Sequence, residues 1–147
     1  MRILGIDFGD VHVGLALSDP LELTAQPLGQ YRLCGMSRDK AYFGELIRRQ
    51  GVGEIVVGFP LRMDGTSGTR AEKTRVFAAW MEKAYWLPVV LWDERLTTQQ
   101  AGGIMREQKI RAKDKRTIEH QISAALILQA YLDSRRTHSH VPQDHQE

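Results

Sequence analysis

The sequence of 147 residues has a single cysteine, little net charge and no long apolar run, and each shortage excludes a class of protein. Cys34 has no partner for an internal disulfide and no metal-ligand spacing around it, which argues against a disulfide-stapled domain and favours a reducing cytoplasm. No apolar stretch reaches the roughly 18 residues that a membrane span needs, so no membrane partner is expected. The formal charge of +2 is too small to indicate a nucleic-acid partner by itself.

The rest of the composition is that of one globular α/β domain. An apolar fraction of 42% and a charged fraction of 26% are ordinary for such a domain. A hairpin followed by alternating strands and helices predicts a mixed sheet with helices on its faces. We expect one domain over residues 1–134 and a disordered tail over residues 135–147.

Periodicity and turn residues predict where the elements lie along the chain. The hairpin spans Ile3–Asp19, and later strands are predicted at Leu28–Leu33, Glu54–Pro60 and Leu87–Trp92, the last two buried. Helices are predicted after Ser37, over Thr69–Ala84, after Thr97 or Thr98, and over Thr117–Leu132. The apolar stripes of the first two helices are predicted to contain Ala41, Phe43, Leu46, Ile47, Ala71, Val76, Phe77, Trp80 and Met81.

Two acidic residues occupy positions where charge is uncommon. Asp7 lies inside the apolar first strand, and Glu94 follows a predicted buried strand. Strand-borne acids of this kind can converge at one site, and a pair of Mg²⁺ or Mn²⁺ ions would relieve their repulsion and activate a water for phosphodiester cleavage. This predicts a metal-dependent nuclease. Alternatively, Asp7 caps the hairpin turn and Glu94 is a helix N-terminal acid paired with Arg95.

Five segments of the chain carry a specific pattern. They are GIDFG at 5–9, VVGFPLRMDGT at 56–66, AEKTRVF at 71–77, DERLTT at 93–98 and SAALILQAYL at 123–132. Together they closely resemble the YqgF family, also called RuvX, whose members are described as Holliday junction resolvases and as nucleases for the 5′ end of pre-16S ribosomal RNA. The resemblance covers residues 3 to about 133 and lacks only the tail.

The resemblance implies a ribonuclease H-like fold, a divalent-metal site and catalytic acids at Asp7 and Glu94. It also implies that the loop at residues 58–68, at the end of the first buried strand, and the basic segment 106–116 contact RNA or branched DNA. The protein is expected to be a monomer or a homodimer. The residues expected to contact nucleic acid are His12, Arg62, Gly65, Thr66, Arg70, Arg95, Lys109, Arg111, Lys113, Lys115 and Arg116.

The chain departs from the family pattern at a third acid. Members resembling this chain carry an aspartate at the start of the last helix, where His120 stands here with Glu119 before it. Three interpretations are open. His120 is a metal ligand or general base, Glu119 supplies the missing carboxylate, or the site is weakened and the protein binds nucleic acid with little catalysis.

Two other functions are compatible with these residues. One is a non-catalytic nucleic-acid-binding factor in ribosome maturation. The other follows from the first hairpin, which also resembles the phosphate-binding hairpin of actin-like ATPases and sugar kinases, although those proteins place two such domains around the nucleotide and this chain has one.

Overall fold

A computed structural model describes residues 1–61, 68–96 and 121–136 of the protein. The strands in these ranges are β1 (Arg2–Phe8), β2 (His12–Ser18), β3 (Ala25–Arg32), β4 (Val52–Phe59) and β5 (Val89–Asp93). The helices are α1 (Met36–Gln50) and α2 (Thr69–Tyr85), together with α3, which is helical over residues 121–136.

Within these ranges the strands form a five-stranded mixed sheet in the order β3-β2-β1-β4-β5. The first three strands are an antiparallel meander that begins with the predicted hairpin. β4 pairs with β1 in parallel, and β5 pairs with β4 in parallel. Parallel neighbours need a crossover connection, and α1 and α2 lie in the connections to β4 and β5. The predicted mixed α/β sheet is confirmed.

Side chains alternate between the two faces of β1, and this alternation separates two cores. Leu4 and Ile6 belong to the cluster under α1 and α2. Ile3 belongs to the cluster under α3, and Gly5 lies directly against the same helix. Asp7 follows Gly5 by two residues in the strand and therefore lies on the α3 face of the sheet.

The cluster under α1 and α2 is built largely from the predicted apolar stripes. The stripe residues that are buried as predicted are Phe43, Leu46, Ala71, Phe77 and Met81. Ala41 is exposed and Val76 is 68% exposed, so the prediction for these two residues was wrong. Val76 precedes the buried Phe77 by one residue and points about 100° away from it, which turns its side chain to solvent.

The helix α3 runs antiparallel to β1 across the other face of the sheet. Near its C-terminal end, Tyr131 donates a hydrogen bond to Glu54, whose backbone pairs with the start of β1. Earlier in the helix, Ile127 lies against Gly58, near the end of β4. The first described turn of α3 is therefore at the same end of the sheet as Asp7.

Some element bounds differ from the predicted ones. β3 begins at Ala25, before the predicted Leu28, because its ladder with β2 starts there. β5 is half-buried rather than buried as predicted, because it is the edge strand of the described sheet. The helix α3 continues to residue 136, beyond the predicted Leu132. Its last turn is held by ion pairs from Arg135 to Glu22 at 3.0 Å and to Glu54 at 3.3 Å.

Several predictions lie outside the described residues. They concern the chain from residue 97 to 105, the basic segment 106–116 and the chain beyond residue 136. Residues 95 and 96 are already helical, so the predicted start of a helix after Thr97 or Thr98 was wrong. The division into a domain over 1–134 and a tail also stays a prediction. Among the helices of the described ranges, none combines the length and apolarity required to cross a membrane.

Substitution of glycine by alanine should change the free energy of unfolding in opposite directions at Gly5, which contacts α3, and at Gly44, which has space around it. A Cβ on Gly5 would lie 2.8 Å from Leu128 Cβ and 3.0 Å from the Ala124 carbonyl oxygen. Gly5→Ala should therefore push α3 off the sheet and lower the free energy of unfolding by about 1–3 kcal/mol. Gly44→Ala, whose Cβ would meet only Tyr85 at 3.4 Å, should raise it by up to about 1 kcal/mol. Urea unfolding measures both, and equal stability of Gly5→Ala and wild type would contradict this packing.

Candidate catalytic site

Asp7 is a buried acid inside the sheet, with only 5% of its surface exposed. It pairs with Gly14 within the β1–β2 ladder, before the turn at residues 9–11. This position is inside the strand rather than in the turn that Asp7 would cap under the alternative interpretation. On the other side, Ile6 pairs with Val57, so the next residue of β4, Gly58, lies beside Asp7. The strand neighbours on both sides of this carboxylate are therefore glycines.

Glu94 directly follows β5 and is tied to the neighbouring strand. Its backbone N–H donates a 3.1 Å hydrogen bond to the carbonyl oxygen of Phe59, the last residue of β4. A Cβ on Gly58 would lie 3.1 Å from Glu94 Cγ and 3.2 Å from its Cδ. The Glu94 side chain therefore lies over Gly58, on the same face as Asp7, and occupies space that any larger residue at position 58 would take.

The pKa of Glu94 is shifted by its burial and by its neighbours. Burial, and then the nearby charge of Asp7, raise the pKa of Glu94 from 4.5 to about 7. The positive charge of Arg70 acts in the opposite direction, and Asp93 adds a smaller upward contribution. A partly desolvated carboxylate beside a second acid is poorly tolerated as an anion unless a positive charge joins the pair.

The carboxylate pair fits a hard divalent cation. Mg²⁺ and Mn²⁺ prefer oxygen ligands, and a cation between Asp7 and Glu94 would offset the repulsion that raises the Glu94 pKa. Within residues 1–61, 68–96 and 121–136, no three His, Cys, Asp or Glu side chains are close enough to form a metal site. Of the predicted catalytic residues, the described ranges supply Asp7 and Glu94, whereas His120 and Glu119 lie outside them.

Three basic residues predicted to contact nucleic acid lie in the described ranges. Arg70, at the start of α2, has its Nη2 atom 3.4 Å from the carbonyl oxygen of Phe8, at the end of the strand that carries Asp7. Arg95 donates to the Asp93 carboxylate at 2.7 Å, and this contact holds the pKa of Asp93 below its usual value. His12 begins β2 and lies two residues before Gly14, on the face of the sheet that carries Asp7.

The other predicted contacts fall outside the described ranges. They are Arg62, Gly65, Thr66, Lys109, Arg111, Lys113, Lys115 and Arg116. Their roles stay predictions, as do those of Glu119 and His120.

Sequence reasoning missed the two glycines that flank Asp7. Gly14 and Gly58 each interrupt a run of larger strand residues, which is typical of a close approach by another group. That signal was available in the sequence. What it could not show is that both glycines pair beside the same aspartate, because strand order and register decide this.

Comparison with known proteins identifies the family to which this chain belongs. A family model described as RuvX, Holliday junction resolvase, matches residues 1–134. A protein of Koribacter versatilis named "Putative pre-16S rRNA nuclease" is 44% identical over 134 residues, which cover 91% of this chain and 88% of that protein. A protein of Moorella thermoacetica with the same name is 45% identical over 133 residues, covering 90% and 95%.

Solved structures of similar fold have low sequence identity. Thermus thermophilus RuvC in complex with a Holliday junction substrate aligns with a TM-score of 0.59 and 17% identity, over 91% of this chain and 96% of that one. The resolvase of fowlpox virus in complex with Holliday junction DNA aligns with a TM-score of 0.51 and 10% identity, over 91% and 98%. The predicted ribonuclease H-like fold is confirmed.

The raised pKa of Glu94 predicts a pH-dependent effect of removing its charge. Ionising Glu94 costs free energy in the folded protein, so this group lowers wild-type stability as pH rises from about 4.5 to about 7. Glu94→Gln has no carboxyl group to ionise at this position, so it does not lose this stability as pH rises. Relative to wild type, its free energy of unfolding should increase by about 1–3 kcal/mol between about pH 5 and about pH 8, without divalent cations.

Urea unfolding in EDTA at the two pH values measures this difference. Glu72→Gln serves as the control, because Glu72 is exposed on α2 and pairs with Arg75. The control should change little with pH relative to wild type. If the free energy of unfolding changed equally with pH in wild type and Glu94→Gln, ionisation of Glu94 would not cost free energy in the folded protein.

Proposed function

Because the chain belongs to the RuvX family, and is therefore a nuclease that hydrolyses phosphodiester bonds, we propose that it is a metal-dependent enzyme that processes the 5′ end of pre-16S ribosomal RNA. The relatives at 44% and 45% identity are named for this RNA, and they match nearly the whole chain. Resolution of Holliday junction DNA is the second candidate, favoured by the description of the family. The structures solved with junction DNA support the fold alone, since their identities are 17% and 10%.

The observation that carries the proposal is the juxtaposition of Asp7 and Glu94. Both acids lie on the α3 face, at the carboxyl ends of β1 and β5, the two strands that flank β4. An open α/β sheet binds its ligands at this edge. We propose that these two carboxylates hold Mg²⁺ or Mn²⁺. When bound, such ions activate a water and stabilise the leaving oxygen.

The chain's own residues prepare this site in two ways. The ladder of β1 holds Asp7 rigidly, and the hydrogen bond from the Glu94 backbone to Phe59 holds the second acid beside it. Burial keeps competing water away from the pair, which strengthens its attraction for a cation.

A third ligand is proposed from the residues before α3. The N-terminal end of the described part of this helix is at the same end of the sheet as Asp7, and His120 and Glu119 precede it in the chain. Which of the two completes the site is open to experiment, because histidine and carboxylate both bind Mn²⁺.

Nucleic-acid binding is proposed for the basic residues around this edge. Arg70 lies beside the end of β1, and His12 lies on the same face as Asp7. These positions support the proposal that both residues contact a phosphate near the acids. Arg95 is proposed to contact a phosphate while its ion pair with Asp93 fixes its direction. The loop with Arg62, Gly65 and Thr66 and the basic segment 106–116 would add contacts along the backbone and make binding sensitive to salt.

A non-catalytic role in ribosome maturation is the alternative function, and substitution of the proposed metal ligands distinguishes it from catalysis. We further propose that the protein acts in the cytoplasm, as a monomer or a homodimer. The exposed free thiol of Cys34 is compatible with a reducing compartment.

The nuclease proposal predicts that Asp7→Asn abolishes cleavage. The amide keeps the shape of the side chain and removes the charge that would bind the cation, so cleavage with Mn²⁺ or Mg²⁺ should fall by about a hundredfold or more. Substrates are an RNA with a 5′ extension, a structured RNA and a four-way DNA junction. Asp133→Asn, at the far end of α3, is the matched control and should cut like wild type.

The outcome decides between the candidate functions. Preference for the extended RNA supports the processing role, whereas preference for the junction supports resolution. Cleavage that survives in purified Asp7→Asn would rule out the proposed site. Binding of the substrates without cleavage by wild type would leave the non-catalytic role.

The replacement of the family's third acid by His120 predicts that His120→Ala and Glu119→Ala differ in cleavage rate. With His120 as the ligand, His120→Ala should lose at least about tenfold in cleavage rate, and Glu119→Ala should not. With Glu119 as the ligand, the order reverses. His120→Asp, which restores the residue type of the family, should keep or raise activity. Wild-type rates in both alanine variants would exclude a third ligand at either position.

A further inference from the structure

One row of residues crosses the α3 face of the sheet at the level of Asp7. Asp7 in β1 pairs with Gly14 in β2, and Gly14 pairs with Gln30 in β3. The neighbours Leu15 and Tyr31 belong to the cluster on the opposite face. Directly paired residues share a face, so Asp7 and Gln30 lie on the same face with only a glycine between them.

The side-chain oxygen of Gln30 is buried without a hydrogen-bond partner among the described residues, although the residue itself is half-buried. Among the described residues, no group donates a hydrogen bond to Gln30 Oε1. β3 is an edge strand of the described sheet, so an extended side chain could have reached solvent. A buried acceptor left without a donor costs free energy, and each such group in a folded protein requires an explanation.

A second glutamine in the same structure shows what a purely structural amide does. Gln129 Oε1 accepts a 2.9 Å hydrogen bond from the Ala25 backbone N–H. Its Nε2 atom donates to the Leu23 carbonyl at 3.2 Å and to Asp133 at 3.0 Å. The oxygen of Gln30 has no comparable role in the packing of the described chain.

The distance between Gln30 and Asp7 suits an indirect contact. Neighbouring strands are about 4.8 Å apart, so residues two strands away have Cα atoms about 10 Å apart. A glutamine and an aspartate side chain cover most of that distance. Gly14, which pairs with both residues, has no side chain to separate the amide oxygen from the carboxylate.

We propose that Gln30 is a positioning residue of the Asp7 site, whose amide oxygen accepts a hydrogen bond from a water in the hydration shell of the divalent cation held by Asp7 and Glu94. The inference rests on the proposed function, because it assumes that these acids bind the cation. Mg²⁺ and similar ions keep several waters when few carboxylates hold them. Partners of this outer shell commonly change metal affinity by 10- to 100-fold.

The test is a titration of the nucleic-acid-free protein with Mn²⁺, followed by isothermal calorimetry. Gln30→Met keeps the length of the side chain and removes the amide, so the Kd for Mn²⁺ should rise about tenfold. Gln30→Glu keeps an oxygen acceptor and should bind at least as tightly as wild type. Gln26→Met alters an exposed glutamine of the same strand and should leave the Kd unchanged.

Unfolding in EDTA separates this role from a structural one. Because Gln30 Oε1 accepts no hydrogen bond within the described chain, Gln30→Met should be as stable as wild type without metal, or more stable. A variant that loses both stability in EDTA and Mn²⁺ affinity would assign the amide a structural role and overturn the proposal. An unchanged Kd in Gln30→Met would overturn it as well.

Asp7→Asn in the same titration distinguishes failure of the metal site from failure of the Gln30 role. Loss of Mn²⁺ binding in Asp7→Asn, with wild-type affinity in Gln30→Met, would overturn only the role of Gln30. Equal binding by wild type and Asp7→Asn, or none by wild type, would overturn the proposed metal site and the role of Gln30 with it.

Discussion

Asp7 and Glu94 are held on the same face of the sheet, on either side of Gly58, where burial weakens the screening that water would provide. The effect is visible in the pKa of Glu94, which burial and the charge of Asp7 raise to about 7. Backbone pairing imposes this proximity, because Asp7 is inside a ladder and Glu94 is bonded to Phe59. Arg70 offsets only part of the repulsion. A site with this electrostatic character attracts cations, and the proposed chemistry depends on that attraction.

Both faces of the sheet carry an apolar core, and the two acids lie on only one of them. Under α1 and α2, large apolar and aromatic side chains pack closely, as in the stacked pair Phe8 and Phe77 with ring centroids 4.5 Å apart. Under α3, small residues near the carboxyl ends of the strands leave room for acids. Gly58 illustrates this, since a side chain there would meet both Glu94 and Ile127. The same strands therefore supply an apolar core on one face and, on the other, a second apolar core with the two acids at its edge.

Several features of the site were predictable from local sequence, and others were not. A charged residue in or directly after an apolar strand is conspicuous, which is why Asp7 and Glu94 stand out as a pair in the sequence alone. Local periodicity was less reliable for helix faces. Ala41 and Val76 are apolar and were predicted to be buried, yet both are exposed, since the orientation of each helix depends on its contacts with the sheet. The same limit applies to β5, whose edge position is not encoded in its own residues.

The sequence by itself determined the class of fold, the acids and the family, because strand patterns, turn residues and the DERLTT and GFPLRMDGT segments are local properties of the chain. Only the tertiary structure decided which residues meet. Strand order places Gly14 and Gly58 on either side of Asp7, and register brings Gln30 into the same row. These relations join residues far apart in the chain through hydrogen bonds between strands. A one-residue change of register would turn each of these side chains to the other face, so the geometry of the site exists only in the folded sheet.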